Sequence, residues 1–258
     1  MTAIEPVIFE TIKPNRTQRL QPSLAEALDD KLIISILLDL PSAVTEAMNT
    51  LWTNISYSGY DIKTVTLTSC RPDEGKSFVT MNLARIISQT GKRVLLIDAD
   101  LRKSVLAGRH KIKNLHGGIW GLADYLSNQC SYWDTIYDTN VPNLSMVLAG
   151  HEVVNSFSLL ETPQFGHMLK DIRDKFDIIL IDTPPIGAIV DAALISRHSD
   201  GTVFVVKENV ISRRELLNGR HQIEKTGGRV IGAVMNDVTF SSYGMKKYHK
   251  NSYYNYYR

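Results

Sequence analysis

The stretch TVTLTSCRPDEGKS, residues 64–77, decides the fold that the sequence predicts. Its β-branched first half, Thr64–Ser69, is typical of a strand, and Ser77–Thr90 has the pattern of a helix. A glycine before Lys76 lets the backbone approach a ligand closely, and the N-terminus of the following helix favours anions. This order predicts a phosphate-binding loop, in which Lys76 contacts the β- and γ-phosphates of ATP and the Ser77 hydroxyl binds Mg²⁺.

One position departs from the usual G-x-x-x-x-G-K-[ST] pattern, because Cys70 stands in place of its first glycine. A Gly-Lys-Ser triplet can also occur by chance at a turn, and the setting between a strand and a helix argues against that alternative. We expect Lys76 to lie in a solvated site, outside the core. Within the cradle Cys70–Ser77 and the residue after it, the predicted nucleotide contacts are Pro72, Asp73, Glu74, Gly75, Lys76, Ser77 and Phe78.

The rest of the chain alternates short apolar strands with helical stretches, which predicts an α/β fold with a mainly parallel sheet between helices. The further predicted strands are Arg93–Asp98, Asn143–Leu148, Asp177–Asp182, Gly201–Lys207 and Arg229–Asn236. The predicted helices are Ala43–Ser56 with Ser42 as its cap, Leu159–Phe176, Ile189–Arg197 and Ser212–Thr226. We expect an N-terminal arm with a short helix in Ser23–Leu38 (residues 1–41), a phosphate-loop domain (42–239) and a mobile tail (240–258).

Composition narrows the class of protein. The chain has 258 residues, 43% of them hydrophobic, and a formal net charge of +2, which gives no overall attraction to nucleic acid or membrane. Two cysteines in no metal-ligand spacing argue against a disulfide framework, and they fit a reducing cytoplasm. No stretch approaches the roughly 18 apolar residues of a membrane span.

Three carboxylates follow predicted strands. Asp98 and Asp100 end one strand and Asp182 ends another. Ligands bind at the carboxyl ends of strands in an open parallel sheet, so these side chains should lie near the phosphate loop. They could hold Mg²⁺ or accept a proton from a nucleophile, although an aspartate at a strand end can also merely cap the next helix.

With these features the chain resembles the bacterial tyrosine kinase (BY-kinase) family from about residue 42 to its end. The resemblance rests on TSCRPDEGKS (68–77), LLIDADLR (95–102) and IILIDTPP (178–185), with weaker matches in GLADYL (121–126) and LAG (148–150). The resemblance implies a P-loop fold and an ATP-dependent protein-tyrosine kinase that phosphorylates its own tail, between subunits.

The resemblance also assigns roles to residues. Lys76 and Ser77 bind the triphosphate and Mg²⁺, and Asp100 and Asp182 position the metal. Asp98 is the base for the incoming tyrosine hydroxyl or a metal-linked carboxylate. Arg102 belongs to the catalytic set, and Asn236 matches a residue that meets the adenine in related ATPases.

ATPases that partition chromosomes or select division sites are the alternative within the same fold. They usually carry a lysine at the position of Arg71 and lack an arginine at the position of Arg102. Such an ATPase would switch assembly or membrane binding without phosphorylating protein.

The C-terminal tail distinguishes a kinase from these ATPases. Residues 243–258 hold six of the eleven tyrosines together with four Lys/Arg and no acid. A segment of this kind suits a substrate that reaches another active site, and added phosphates would reverse its charge. By itself it would equally suit binding to nucleic acid or anionic lipid, but beside a kinase-like site we expect no nucleic acid. The predicted phosphoacceptors are Tyr243, Tyr248, Tyr253, Tyr254, Tyr256 and Tyr257.

Two departures from the family pattern affect assembly and the loop. The family's E-x-x-R-x-x-R helix, which contacts a neighbour in a ring, here reads Glu46, Asn49 and Trp52, so association should be weaker. Trp52 belongs either to the core or to an interface. Asp73 replaces a frequent glycine and would weaken ATP binding unless it points to solvent.

The resemblance further implies partners. We expect self-association, a membrane activator protein with a cytoplasmic segment, and a cognate tyrosine phosphatase. The kinase would then be cytoplasmic, held at the inner face of the membrane through its partner, and would regulate capsule or exopolysaccharide synthesis.

Overall fold

The computed structural model describes residues 33–34, 36, 40–59, 61–104, 106, 119–187 and 190–238. In this part of the chain one sheet contains eight strands, in the order β1-β4-β5-β3-β6-β2-β7-β8. They are β1 Ile33–Ile34, β2 Thr64–Ser69, β3 Val94–Asp98, β4 Ile136–Thr139, β5 Leu144–Val147, β6 Ile178–Asp182, β7 Gly201–Lys207 and β8 Val230–Asn236.

The strands that carry the site are parallel and central. β6 lies between β3 and β2, with Asp182 opposite Asp98 on one side and opposite Leu67 on the other. β3, β5, β6, β2, β7 and β8 all run parallel. The carboxyl ends of β2, β3 and β6 therefore meet at one edge of the sheet, as the sequence predicted for the phosphate loop and the acidic strand ends.

Helices cover both faces of the sheet. The described helices are α1 Ser42–Ser56, α2 Lys76–Gln89, α3 Leu122–Leu126, α4 Ser156–Leu160, α5 Pro163–Ile172, α6 Asp191–Ser196 and α7 Arg213–Lys225, with a 3₁₀ turn at Tyr132–Thr135. Alternate residues of β3 enter opposite cores, because side chains of a strand point to alternate faces. Leu96 packs in the core under α1 and α2, and Leu95 packs in the core under α3 and α5. The predicted α/β class and layer arrangement are confirmed.

Four details differ from the sequence-based expectations. The helix expected in Ser23–Leu38 is contradicted at its described part, because Ile33 and Ile34 pair with β4. Ser42 is the first helical residue and no cap, since Pro41 occupies the cap position without a side-chain bond. The single helix expected over Leu159–Phe176 is divided at Thr162, where the carbonyl of Leu159 accepts the threonine hydroxyl before Pro163 starts α5.

Strand β4 was not predicted. It runs antiparallel to β5, and its four residues are all half-buried, so it shows neither the apolar run nor the clean alternation that marks a strand in sequence. No described helix is long and apolar enough to cross the bilayer. The N-terminal arm up to residue 32 and the six predicted phosphoacceptor tyrosines lie outside the described residues.

Candidate active site

The phosphate loop connects β2 to α2, and its shape depends on Gly75. This residue has φ +84°, and a Cβ here would lie 2.1 Å from Nδ2 of Asn236. Asn236 ends β8 and donates from Nδ2 to the carbonyl of Glu74 at 3.0 Å. Glycine is therefore required both by backbone conformation and by space. The hydrogen bond from Asn236 therefore supports the backbone of the phosphate loop.

The carboxylate of Glu74 lies inside the loop. Its Oε2 accepts from the backbone N–H groups of Cys70 at 2.7 Å and Arg71 at 2.9 Å, and the residue is 1% exposed. Its Oε1 is buried and has no hydrogen-bond partner among the described residues. The N–H groups of Cys70 and Arg71 therefore already have a partner within the loop, and Glu74 fixes the path of the loop at its start.

Lys76 lies in a buried group of charges at the start of α2. Its Nζ is 3.3 Å from Oδ2 of Asp182, 3.7 Å from Oδ2 of Asp100 and 3.2 Å from Oγ of Ser77. Burial opposes its charge, but the carboxylates of Asp182, Asp100 and Asp98 outweigh that effect, so the pKa of Lys76 is raised. The expectation of a solvated Lys76 is wrong, because the residue is only 7% exposed.

Asp182 accepts hydrogen bonds from two hydroxyl groups in addition to its contact with Lys76. Ser77 Oγ donates to its Oδ2 at 2.6 Å, and Thr80 Oγ1 donates to its Oδ1 at 3.2 Å. Thr80 lies one helical turn after Lys76 on α2, so the turn period alone could have predicted its place beside the site. Sequence reasoning did not find it.

Asp98 is fully buried at the end of β3. Burial, and secondarily Asp182, raise the pKa of Asp98 to about 7, against the hydroxyl of Ser104 and the charge of Lys76. Ser104 donates to Oδ2, and the backbone N–H of Asp100 donates to Oδ1 at 3.2 Å. A carboxyl group with a pKa near neutrality is suited to accept a proton at physiological pH.

Asp100 is fixed by the backbone that follows it. The N–H of Lys103 donates to its Oδ1 at 3.1 Å. Burial raises its pKa, and the charge of Lys76 opposes that rise. Asp100 is thus held by the backbone within 3.7 Å of the lysine ammonium.

Arg102 lies apart from this group. Its Nε is 2.7 Å from Oγ of Ser156 and 3.4 Å from Oδ2 of Asp191, and Ser156 also donates to Asp191. Ser156 and Asp191 begin α4 and α6, and sequence reasoning found neither. Pairing across elements that are far apart in the chain leaves no local signal in the sequence.

An exposed ion pair lies on the side of the phosphate loop that faces α7, away from Asp98 and Asp182. Arg71 donates to Oε1 of Glu215 from Nε at 2.8 Å and from Nη2 at 2.5 Å. Glu215 also caps α7 through Ser212. A cleft of about 340 Å³ lies beside this pair, bordered by the loop and α7.

The remaining predicted loop residues lie at the surface or on the core. Pro72 and Asp73 are exposed, and Asp73 has φ +61°, a conformation in which glycine is favoured. Asp73 is therefore exposed to solvent, and in this position we do not expect it to weaken ATP binding. Phe78 is half-buried and packs on the core under α1.

The site fits Mg²⁺ together with phosphates better than Mg²⁺ alone. Among the described residues no group of three His, Cys, Asp or Glu side chains converges as a metal cage. Mg²⁺ usually takes one or two carboxylates, a hydroxyl and substrate phosphates. Ser77, Asp100 and Asp182 supply such a set beside Lys76.

Comparisons with known proteins agree with this arrangement. The profile of the AAA domain family matches residues 62–230. Tyrosine-protein kinase CpsD of Streptococcus agalactiae is 40% identical over 204 residues, which cover 77% of this chain and 88% of that protein. The chain belongs to the bacterial tyrosine kinase family.

A second relative and a solved structure support the same family. Tyrosine-protein kinase CpsD of Streptococcus pneumoniae is 34% identical over 83% of this chain and 94% of its own length. The kinase domain of the Escherichia coli tyrosine kinase ETK superposes with a TM-score of 0.69 at 28% identity, over 78% of this chain and 80% of that one. The predicted family and the predicted enzyme class, a protein-tyrosine kinase, are confirmed.

The alternative ATPases share the fold. The septum site-determining protein MinD of Pyrococcus horikoshii, solved with Mg-ADP, gives a TM-score of 0.58 at 22% identity, over 70% of this chain and 72% of that one. A likeness at this level shows the common P-loop architecture alone.

Proposed function

We propose that this protein transfers the γ-phosphate of ATP to tyrosines of its own C-terminal tail, from one copy to another. The observation that carries the proposal is that the buried Lys76, held by Asp182, lies at the same edge of the sheet as the fully buried Asp98, which pairs with Asp182 across β3 and β6 and whose pKa is raised to about 7. A tyrosine hydroxyl, with a pKa near 10, needs such a base. An ATPase that only hydrolyses ATP has no need of a tyrosine-rich tail.

In the proposed mechanism the loop and Lys76 hold the donor. Backbone N–H groups from Asp73 to Ser77 and the Lys76 ammonium bind the phosphate oxygens. Ser77, Asp100 and Asp182 hold Mg²⁺, with Asp98 as the further metal-linked candidate. When bound, the metal neutralises charge on the phosphates. Asn236 supports the loop and lies at the strand end from which the adenine is contacted in related ATPases.

Asp98 then takes the proton of the acceptor. As the phenol oxygen forms its bond to the γ-phosphorus, the bond from that phosphorus to the β–γ bridging oxygen breaks, and ADP leaves. The phenol proton passes to a carboxylate oxygen of Asp98. Arg102, which the family resemblance assigns to the catalytic set, bonds Ser156 and Asp191 and lies apart from the charges around Lys76.

The partners and the place of action follow from family resemblance. We propose that the kinase associates with itself, with a membrane activator through that protein's cytoplasmic segment, and with a cognate tyrosine phosphatase. It would then work at the inner face of the membrane and regulate capsule or exopolysaccharide synthesis. Glu46 and Asn49 are exposed on α1. At this accessible surface the chain has Asn49 in place of an arginine that in the family contacts a neighbouring subunit.

The test follows the phosphate. The full chain is incubated with MgATP, with and without a candidate activator segment, together with a ¹⁵N-labelled chain carrying Lys76→Met. Mass spectrometry should find phosphotyrosine on labelled peptides of residues 240–258. A labelled chain with all six tail tyrosines changed to phenylalanine is the control. Phosphate released to water with an unmodified tail, with activator present, would favour the partitioning-type ATPase.

A further inference from the structure

The side chain of Ser104 already bonds the carboxylate of Asp98. Ser104 Oγ donates to Oδ2 of Asp98, and the backbone N–H of Asp100 donates to Oδ1 at 3.2 Å. Both carboxylate oxygens therefore have a donor from within the chain. The Ser104 hydroxyl holds the position that an acceptor hydroxyl must take in order to pass its proton to Oδ2.

Ser104 also forms part of the cover over Asp98. Asp98 is 0% exposed, whereas Ser104 is half-buried. The hydrogen bond between them thus joins an enclosed carboxylate to a residue that solvent reaches. Because Asp98 has no exposed surface, a hydroxyl from solvent reaches Oδ2 only where a covering group gives way, and Ser104 is a covering group bonded to that oxygen.

The loop that follows β3 fixes Ser104 in place. The N–H of Lys103 donates to Oδ1 of Asp100 at 3.1 Å, and Arg102 donates from Nε to Oγ of Ser156 at 2.7 Å. The residues immediately before Ser104 are therefore anchored to the site and to α4. A hydroxyl tethered in this way has an advantage over free water, because its translational and rotational freedom is already lost.

Water, an aliphatic hydroxyl and a phenol differ as partners for a carboxylate. A hydrogen bond from a hydroxyl to a carboxylate is charge-assisted, and a more acidic hydroxyl forms a stronger one. A tyrosine hydroxyl, with a pKa near 10, is more acidic than the hydroxyl of serine or of water. Ser104 should therefore give way to a tyrosine but not to water.

We propose that Ser104 is a specificity-determining residue, whose hydroxyl keeps water from Asp98 until an acceptor tyrosine replaces it. The inference rests on the proposed function, in which Asp98 is the base for transfer from ATP. Without this hydroxyl, a water molecule bonded to Oδ2 would attack the γ-phosphorus. As its oxygen bonds to that phosphorus, the bond to the β–γ bridging oxygen breaks and one proton passes to Asp98. The products are ADP and inorganic phosphate.

The experiment counts phosphate released to water. Each enzyme is the full chain with all six tail tyrosines changed to phenylalanine, so that the tail offers no acceptor. Ser104→Ala leaves a space the size of a hydroxyl beside Oδ2, and a water molecule can fill it. Phosphate release from MgATP should then rise about tenfold, a part of the roughly 10² to 10⁴ that a general base contributes. Ser104→Thr keeps a hydroxyl and should release phosphate as slowly as the chain with serine.

Two further variants tie the effect to this hydrogen bond. Adding Asp98→Asn to Ser104→Ala should abolish the extra release, because the water then has no base. Ser88→Ala is the matched control, since Ser88 is a buried serine near the other end of α2 whose hydroxyl donates to the carbonyl of Arg85. This control should release phosphate at the unmodified rate.

A second readout uses chains with intact tails. A ¹⁵N-labelled chain carrying Lys76→Met is the acceptor, and mass spectrometry measures its phosphotyrosine. In Ser104→Ala the labelled phosphotyrosine should not decline while released phosphate rises, and the Kd for ATP should stay the same. A merely structural role of Ser104 would lower both products together.

Four outcomes would overturn the inference. The first is unchanged phosphate release in Ser104→Ala, and the second is extra release that persists when Asp98→Asn is added. The third is phosphate on Ser104 itself, which would make this residue an acceptor. The fourth is a changed Mg²⁺ requirement without a change in release at saturating Mg²⁺, which would place the hydroxyl in the metal site.

The two proposals fail separately. If the unmodified enzyme leaves the labelled tyrosines without phosphate when an activator is present, the proposed function fails. If it phosphorylates them and Ser104→Ala releases no more phosphate than the unmodified chain, only the role of Ser104 fails. Thermal unfolding checks that each variant is folded, and a labelled Asp98→Asn chain replaces Lys76→Met if that acceptor does not fold.

Discussion

Two groups of charges flank the phosphate loop, and they differ in burial. On one side Lys76 meets Asp182 and Asp100 at 3.3 and 3.7 Å, with each of these side chains less than a tenth exposed. On the other side Arg71 meets Glu215 at 2.5 Å, with the arginine side chain 53% and the glutamate 36% exposed. The closer pair is the more exposed one.

Distance alone therefore does not rank the two groups. Exposed pairs are screened by water and usually contribute little to stability. Buried charges interact strongly, and the loss of one partner leaves the others uncompensated. We therefore expect the buried group around Lys76 to act in catalysis and the exposed Arg71–Glu215 pair to contribute only a little to local stability. Four experiments test this expectation.

The largest combined effect, a loss of both rate and stability, is expected for Lys76→Met. Phosphorylation should fall by at least about a hundredfold, because a preorganised charge on the transferring phosphoryl group is lost. The folded state should also lose about 3 kcal/mol, because Asp182 and Asp100 then lack their buried cation. Activity assays and denaturant unfolding measure the two effects.

The control for this change is Lys63→Met, at the opposite end of β2. Lys63 lies 4.0 Å from Asp174, whose side chain is 93% exposed. This variant should keep full activity and lose less than about 1 kcal/mol. Equal losses in both variants would contradict the distinction between buried and exposed charges.

Asp98→Asn should rank second. The rate should fall by about 10² to 10⁴, the usual contribution of a general base. In the unmodified chain kcat/KM should decline below pH 7, because Asp98 is then protonated, and this inflection should be absent from the residual rate of Asp98→Asn.

Stability gives an independent measure of the same group. A carboxyl whose pKa is raised on folding destabilises the native state as pH rises from the unfolded value through the folded value, here from about 4 to about 7. Asp98→Asn should therefore be more stable than the unmodified chain at pH 8, and the difference should vanish at pH 4. The pH profile of the rate should be unaffected by Asp200→Asn, because Asp200 precedes β7 and accepts from the N–H groups of Lys63 and Thr64, far from Asp98.

A third experiment tests the helix that in the family carries two arginines. Trp52 is half-buried and packs on the core, whereas Asn49 is exposed. Asn49→Arg should change the unfolding free energy by less than about 0.5 kcal/mol. Adding Trp52→Arg should cost about 2 kcal/mol or more, because core contacts are replaced by a charge.

Association is measured with the same variants. If Asn49→Arg with Trp52→Arg stayed as stable as the unmodified chain and formed larger assemblies, Trp52 would belong to an interface. A ring that is stable at low micromolar concentration and insensitive to changes at Glu46 would contradict our expectation of weak association.

The smallest effect is expected at the exposed pair. Arg71→Ala and Glu215→Gln should each lower the unfolding free energy much less than Lys76→Met does, and their coupling should shrink in 1 M salt. Tail phosphorylation should persist in Arg71→Ala. Loss of transfer in this variant, without a loss of stability, would move Arg71 into the catalytic machinery.

The sequence predicted the parts of the site that local pattern encodes. A strand, a glycine and a lysine identify the loop, and apolar runs that end in aspartate identify β3 and β6. Because parallel strands bring their carboxyl ends to one edge, Lys76, Asp98 and Asp182 could be placed together in advance.

Long-range partners and burial were harder to predict. Asp191 and Ser156 are separated by 35 residues, and their bond follows from how α4 and α6 pack. The burial of Lys76 depends on what surrounds it in space, so sequence reasoning placed it in solvent. Strand β4 lies between β1 and β5, and its four half-buried residues carry no clear hydrophobic pattern in the sequence.

The contact of Asn236 with Glu74 spans 162 residues of chain and has a consequence for biosynthesis. The phosphate loop leaves the ribosome early, whereas Asn236 leaves it only after nearly the whole domain has been translated. Domains fold largely as units during synthesis. A nascent chain would thus complete its nucleotide cradle only when its last strand has emerged, and a product truncated before residue 236 would lack this check on the loop.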